Sequence, residues 1–141
     1  LIYLVFFALF FYQLIYIYPK KYKAEWQFGY QEMIEKLNKI ENNYETIYIT
    51  REQGRPAMYY FFYAKVDPLL VQNANQLAKK DQGEFLEFQK IKFIDKPEQI
   101  DFSKKALMIS SLNFYQNSFS KNNVPLIDKT DEETWVFYEI N

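Results

Sequence analysis

Leu1–Tyr18 reads LIYLVFFALFFYQLIYIY, a run without a charge in which Gln13 alone falls outside the apolar and aromatic set. At about 1.5 Å per residue, a helix over it covers roughly 27 Å, close to the hydrocarbon thickness of a bilayer. The run is apolar on every side, which suits lipid better than a one-sided protein core. A secretory signal would need a basic leading region and a small-residue cleavage site, and neither is present. A buried core helix is the other reading. Residues 1–19 are therefore expected to form a transmembrane helix.

The flanks agree with a membrane boundary. Tyr12, Tyr16 and Tyr18 gather at the C-terminal end, where an aromatic belt would lie. Pro19 ends the run, and Lys20, Lys21 and Lys23 follow at headgroup level. Residues 20–29 read as a juxtamembrane linker, in which Trp26 and Phe28 serve either the interface or the domain core. Lysines here would put the following domain in the cytoplasm under the positive-inside rule. The chain opens inside the apolar run without an initiator Met and is expected to be the C-terminal piece of a longer polypeptide. A processed or trimmed chain would read the same.

Charge narrows the partners. Seventeen basic and 18 acidic residues leave a net charge of -1, which gives no basic footprint for nucleic acid. Aromatics make up 21% of the chain, a load that favours a packed core and interface contact over disorder. Cysteine and histidine are both absent, so disulfides, Cys/His metal sites and histidine-based triads are excluded.

Residues 30–141 read as one α/β domain. Tyr30, Met33, Ile34, Leu37 and Ile40 recur at helical spacing, with Glu32, Glu35, Lys36, Lys39 and Glu41 opposite. Ile47–Thr50 is a β-branched strand. Pro56 opens an aromatic helix over 57–65, and Asp67-Pro68 opens another over 69–77. Lys79–Gly83 is a turn, and Phe85–Ile94 is one long or two short strands. Pro97–Phe102 is a connection, and Ala106–Ser110 is a strand covered on both faces. Leu112–Ser120 is a loop or short helix. Val124–Asp128 and Thr134–Ile140 pair across a turn at Thr130-Asp131-Glu132. The order predicts a small layered α/β domain whose mixed sheet starts parallel and ends in an antiparallel hairpin.

One constellation carries possible chemistry. Arg51-Glu52-Gln53-Gly54-Arg55 joins a strand to a helix, where α/β sheets gather ligands and a helix N-terminus offers free N–H groups. Arg51, Gln53, Gly54 and Arg55 are the candidates for an anion or lipid headgroup. The loop lacks the glycines of a Walker or dinucleotide motif, and a solvated loop with paired arginines is the plainer alternative. Ser110 and Ser111 have no histidine base and are expected to satisfy backbone groups at a strand end. Asp95, Asp101, Asp131 and Glu132 fall in turns. Tyr59–Tyr63 (YYFFY) is expected to be core.

The order of motifs adds a resemblance. Trp26-x-Phe28-Gly29-Tyr30-x-Glu32-Met33, Ile47–Thr50, Gly54-x-Pro56, Asp67-Pro68 and Lys90-Ile91-x-Phe93-Ile94-Asp95 follow an aromatic-rich span. The pattern resembles the C-terminal tail of bacterial GT-C superfamily membrane glycosyltransferases, in the branch similar to protein O-mannosyltransferases and aminoarabinose transferases. It covers nearly the whole chain and contains no catalytic motif. The resemblance implies a parent enzyme that moves a sugar from a polyprenyl-phosphate carrier outside the cytoplasm. It implies that the acidic residues, and any divalent metal, belong to the parent's first extracytoplasmic loop, with no catalytic residue or cofactor in this chain. It makes residues 1–19 the last span, packed with the parent's other transmembrane helices in the cell membrane. Residues 20–141 then form an accessory domain on the extracytoplasmic side, against the charge rule. The alternative is a single-span anchored binding domain without enzymatic activity.

Overall fold

The computed structural model describes residues 2–22, 29–77, 80–81, 83–119, 124–131 and 133–140. The apolar run is helical throughout: α1 (Ile2–Tyr12), a π-helical turn (Gln13–Ile17) and α2 (Tyr18–Lys21). The helix passes Pro19 and continues to Lys21. Proline removes one N–H and crowds the carbonyl four residues back, and a π turn directly before it is a common way for a helix to absorb that misfit. No described residue of this helix is buried, so it is not the core helix of the domain that follows. It is long and apolar enough to cross a membrane.

The domain has mixed α/β architecture. Gly29, at φ +87°, turns the chain into α3 (Tyr30–Ile40). A Cβ there would sit 3.3 Å from Trp135 Cδ1, so both the backbone angle and the space select glycine. The expected stripe of α3 is the buried one: Tyr30, Met33, Ile34 and Leu37 face inward, with Ile40 packed at the margin.

β1 (Ile47–Thr50) is followed by α4 (Pro56–Tyr63) and α5 (Pro68–Leu77). Two short pairs come next, β2 (Lys80–Asp81) with β3 (Glu84–Phe85), and β4 (Glu87–Phe88) with β5 (Ile91–Ile94). The 79–83 segment thus contains a strand as well as the turn, and the 85–94 run is broken into three strands. Gln89, at φ +53°, makes the reversal between β4 and β5. After a 3₁₀ turn (Pro97–Gln99) come β6 (Ala106–Ser111), α6 (Leu112–Ser118), β7 (Leu126–Lys129) and β8 (Trp135–Ile140).

The six-stranded sheet runs β4-β5-β1-β6-β8-β7. β1 lies parallel to both β5 and β6, and β8 runs antiparallel to β6 and β7. Strand alternation sends Ile47, Ile49, Phe93, Leu107, Ile109 and Phe137 to one buried cluster with α3 and α4. Tyr48, Ile94, Met108, Val136 and Tyr138 go to a second cluster with Ile100, Phe114 and Phe119. β1 and β6 are buried at every position, as expected for strands covered on both faces.

Candidate functional site

Because β1, β5 and β6 are parallel, their C-terminal ends open on one edge of the sheet. The chain leaves β1 toward β5 on one side, and its next parallel strand, β6, lies on the other. Such a reversal in strand order is where α/β sheets commonly gather ligands. Thr50, Arg51, Asp95, Ser110 and Ser111 are brought together there.

Arg51 is tied to β5. Its Nε donates to Asp95 Oδ1 at 2.9 Å and a terminal nitrogen to Oδ2 at 2.5 Å, a two-point pair. The Arg51 guanidinium holds the Asp95 carboxyl below its ordinary value. Glu52 accepts a hydrogen bond from Ser111 Oγ. That same oxygen accepts from Phe114 N–H at 3.0 Å, capping α6. The Ser110 hydroxyl donates to the Ser111 carbonyl and lies 3.1 Å from the Tyr138 hydroxyl. Both serines therefore satisfy neighbouring polar groups, as expected of a strand end. Burial pushes the Tyr138 phenol up, and its contact with the Ser110 hydroxyl acts in the opposite direction.

The loop itself is a turn in which Gly54, at φ +106°, donates its N–H to the Arg51 carbonyl at 3.1 Å. The Gln53 carbonyl accepts from the Tyr30 hydroxyl at 3.2 Å. Thr50 Oγ1 and Gln53 Oε1 are buried without a hydrogen-bond partner among the described residues. Arg55 is exposed, just before the first turn of α4. Of the four anion candidates, Arg51 is engaged by a carboxylate, Gln53 and Gly54 shape the turn, and Arg55 faces outward.

Arg55 also rims a groove of about 590 Å³ between α4, α5 and β3. Met58, Phe61, Phe62, Val66, Val71 and Phe85 give it apolar walls, and Glu84 stands at the polar end with Arg55. Burial raises the Glu84 carboxyl, while Arg51, Arg55 and the Ala57 N–H pull it back down. Tyr60 of the YYFFY cluster is core and Tyr59, Phe61 and Tyr63 pack against it, but Phe62 is 74% exposed. An aromatic run on a short helix circles the axis, so one member must point outward.

The expected interface residues Tyr16, Tyr18, Lys20 and Lys21 occupy the last turns of the long helix, all exposed. The Tyr12 and Tyr16 rings lie 5.5 Å apart, and Lys21 Nζ sits 5.1 Å above the Tyr22 ring. Trp26 lies outside the described residues. Asp95, Glu84 and Tyr30 were not legible as site residues. Asp95 reads as a turn residue, and only the β1–β5 pairing puts it beside Arg51. Among the described residues no group of three acidic side chains is placed to hold a metal ion. No protein-family model, curated protein or solved structure matches the chain.

Proposed function

We propose that the chain is the membrane end of a glycosyltransferase similar to the GT-C superfamily. Ile2–Lys21 is the last span, and residues 30–141 form a non-catalytic accessory domain on the extracytoplasmic side. That domain is a layered α/β unit closed by the β7–β8 hairpin, and it works beside a polyprenyl-phosphate-linked sugar donor. Catalytic carboxylates and any divalent metal belong to other parts of the parent polypeptide.

The observation that carries this reading is the hydrogen bond from Tyr30 to Gln53. Tyr30 is the first residue of α3, and the span ends at Lys21, so little chain separates them. From Tyr22 to Gly29 the backbone reaches at most about 25 Å at about 3.6 Å per residue. The Arg51–Arg55 loop therefore stands beside the entry of a short membrane tether. An exposed arginine next to an apolar groove matches a phosphate carried on an apolar chain.

The test is binding of polyprenyl phosphate by the chain reconstituted in phosphatidylcholine nanodiscs. Arg55→Ala is expected to weaken it about tenfold, the worth of one charge-assisted contact of about 1.4 kcal/mol. Unchanged affinity would reject the phosphate role. Sugar transfer by the parent polypeptide, lost on deletion of residues 30–141, supports the enzyme reading. Lipid binding by a polypeptide with no transfer activity would instead make this a single-span binding module.

A further inference from the structure

We infer that the outer face of α4 and α5 lies directly on the bilayer, so that the domain is held to the membrane at a second place beyond its span. The inference rests on the membrane reading of Ile2–Lys21 and deepens it.

Three observations converge. First, Met58, Phe62, Leu69 and Leu70 stand between 49% and 74% exposed, on two consecutive helices and beside the groove. Met58 and Phe62 are four residues apart and share one face of α4. Large apolar side chains grouped in this way mark a contact surface, whereas scattered ones do not. Second, the surface adjoins the residue at which the domain begins. The Tyr30 ring stacks on Tyr59 of α4 at 4.2 Å between centroids, so the residue that opens the domain rests on the helix that carries the patch. Third, the charges suit a lipid surface. Arg55 and Lys65 stand at the two ends of α4, where long basic side chains reach phosphates while the stripe between them enters the acyl boundary. The nearby Asp67 carboxylate accepts the Leu69 N–H at 2.9 Å as the cap of α5, where the helix N-terminus offsets part of its negative charge.

A tether of this reach keeps the bilayer at high effective concentration next to the patch, which favours lipid over a partner that must diffuse in. The opposite sheet face offers an internal contrast. Phe102 is 49% exposed too, but its ring lies against Phe119 in the second core cluster, away from α4.

The chain has no cysteine, so single labels report cleanly. Phe10→Cys, Phe62→Cys, Leu69→Cys and Phe102→Cys would each carry an environment-sensitive fluorophore. The full chain is reconstituted in phosphatidylcholine–phosphatidylglycerol vesicles with and without nitroxide-labelled lipid. Labels at 62 and 69 are expected to lose about half or more of their emission to nitroxide, as groups about 5–10 Å into the headgroup–acyl boundary should. The label at 10 is quenched as well, and the label at 102 is not. Quenching at 10 without quenching at 62 and 69 overturns the inference and leaves the span intact. Absence of quenching at all four removes the span and the inference together. Concentration-dependent crosslinking between two unlabelled Phe62→Cys chains, without lipid quenching, assigns the face to a second copy and also overturns the inference.

Discussion

Arg51 and Asp95 illustrate how a loop arginine becomes part of the frame. The guanidinium side chain is 11% exposed and the carboxylate 47%, so one end of the pair is sheltered and the other meets water. Solvent screening on the Asp95 side limits the pair to at most about 1 kcal/mol. Because Arg51 lowers the folded value of the Asp95 carboxyl, its contribution is present above the unfolded value of about 3.9 and fades as pH falls through the folded value. Asp95→Asn is expected to lower the thermal midpoint at about pH 7 and to show a smaller gap to the parent chain at about pH 3, below the unfolded value of the carboxyl, where part of the charge contribution is already lost. Thermal unfolding of the two chains in detergent at both pH values checks this. An equal gap at both would mean that Asp95 acts through shape and not through charge. The Arg51 backbone N–H to Ile94 carbonyl bond, at 2.8 Å, would hold the strand ends together in either case.

Between elements, phenols join what the chain order separates. Tyr44, after α3, donates to Glu139 of β8 at 2.7 Å, and burial with that bond pushes its phenol up to about 12. Tyr60 of α4 is pushed up to about 12 by burial and by Glu41 at the end of α3. An acid whose folded value is raised stabilises the fold below its unfolded value, and that stability disappears as pH climbs to the folded value. The window here opens at 10.0 and closes near 12. Stability is expected to drop across that window, and Tyr44→Phe with Tyr60→Phe should make the drop shallower. Ultraviolet titration of tyrosinate alongside circular dichroism tests it. Both phenols ionising at the ordinary value with the fold intact would refute it. Such pairings also mark the limit of the sequence. The α3 stripe, β1 and the Pro56 and Pro68 helix starts were legible because each rests on local spacing or on a proline. The order β4-β5-β1-β6-β8-β7 was not, because it depends on contacts far apart in sequence. Asp95 entered the site, and β8 came between β6 and β7, for that same reason. The break of 85–94 into three strands was hidden because Gln89, at φ +53°, is not a residue that announces a turn.

At the scale of the whole molecule, two physically different parts share one short chain. The domain buries its large side chains, with Trp135, Tyr48 and Phe137 at 1% exposure or less. The helix Ile2–Lys21 buries none, although Phe6, Phe7, Leu9 and Phe10 are as apolar as any core residue. In water such a surface would gather other apolar groups, since burial is worth about 25 cal/mol per Å². Within a bilayer the same surface has no debt to water, and every backbone N–H after the first turn finds a carbonyl inside the helix. Leu9 sits near the middle of the run and makes the dependence measurable. Arginine at the centre of a spanning helix costs about 2.5–3.5 kcal/mol on the insertion scale. Leu9→Arg should therefore shift the chain from the carbonate-resistant membrane fraction to the soluble or aggregated fraction. Leu69→Arg should leave it in the membrane fraction, because α5 touches the surface without crossing it. If Leu9→Arg stays in the membrane as firmly as the parent chain, the helix does not cross the bilayer, and the domain is held by its α4–α5 face or by a partner.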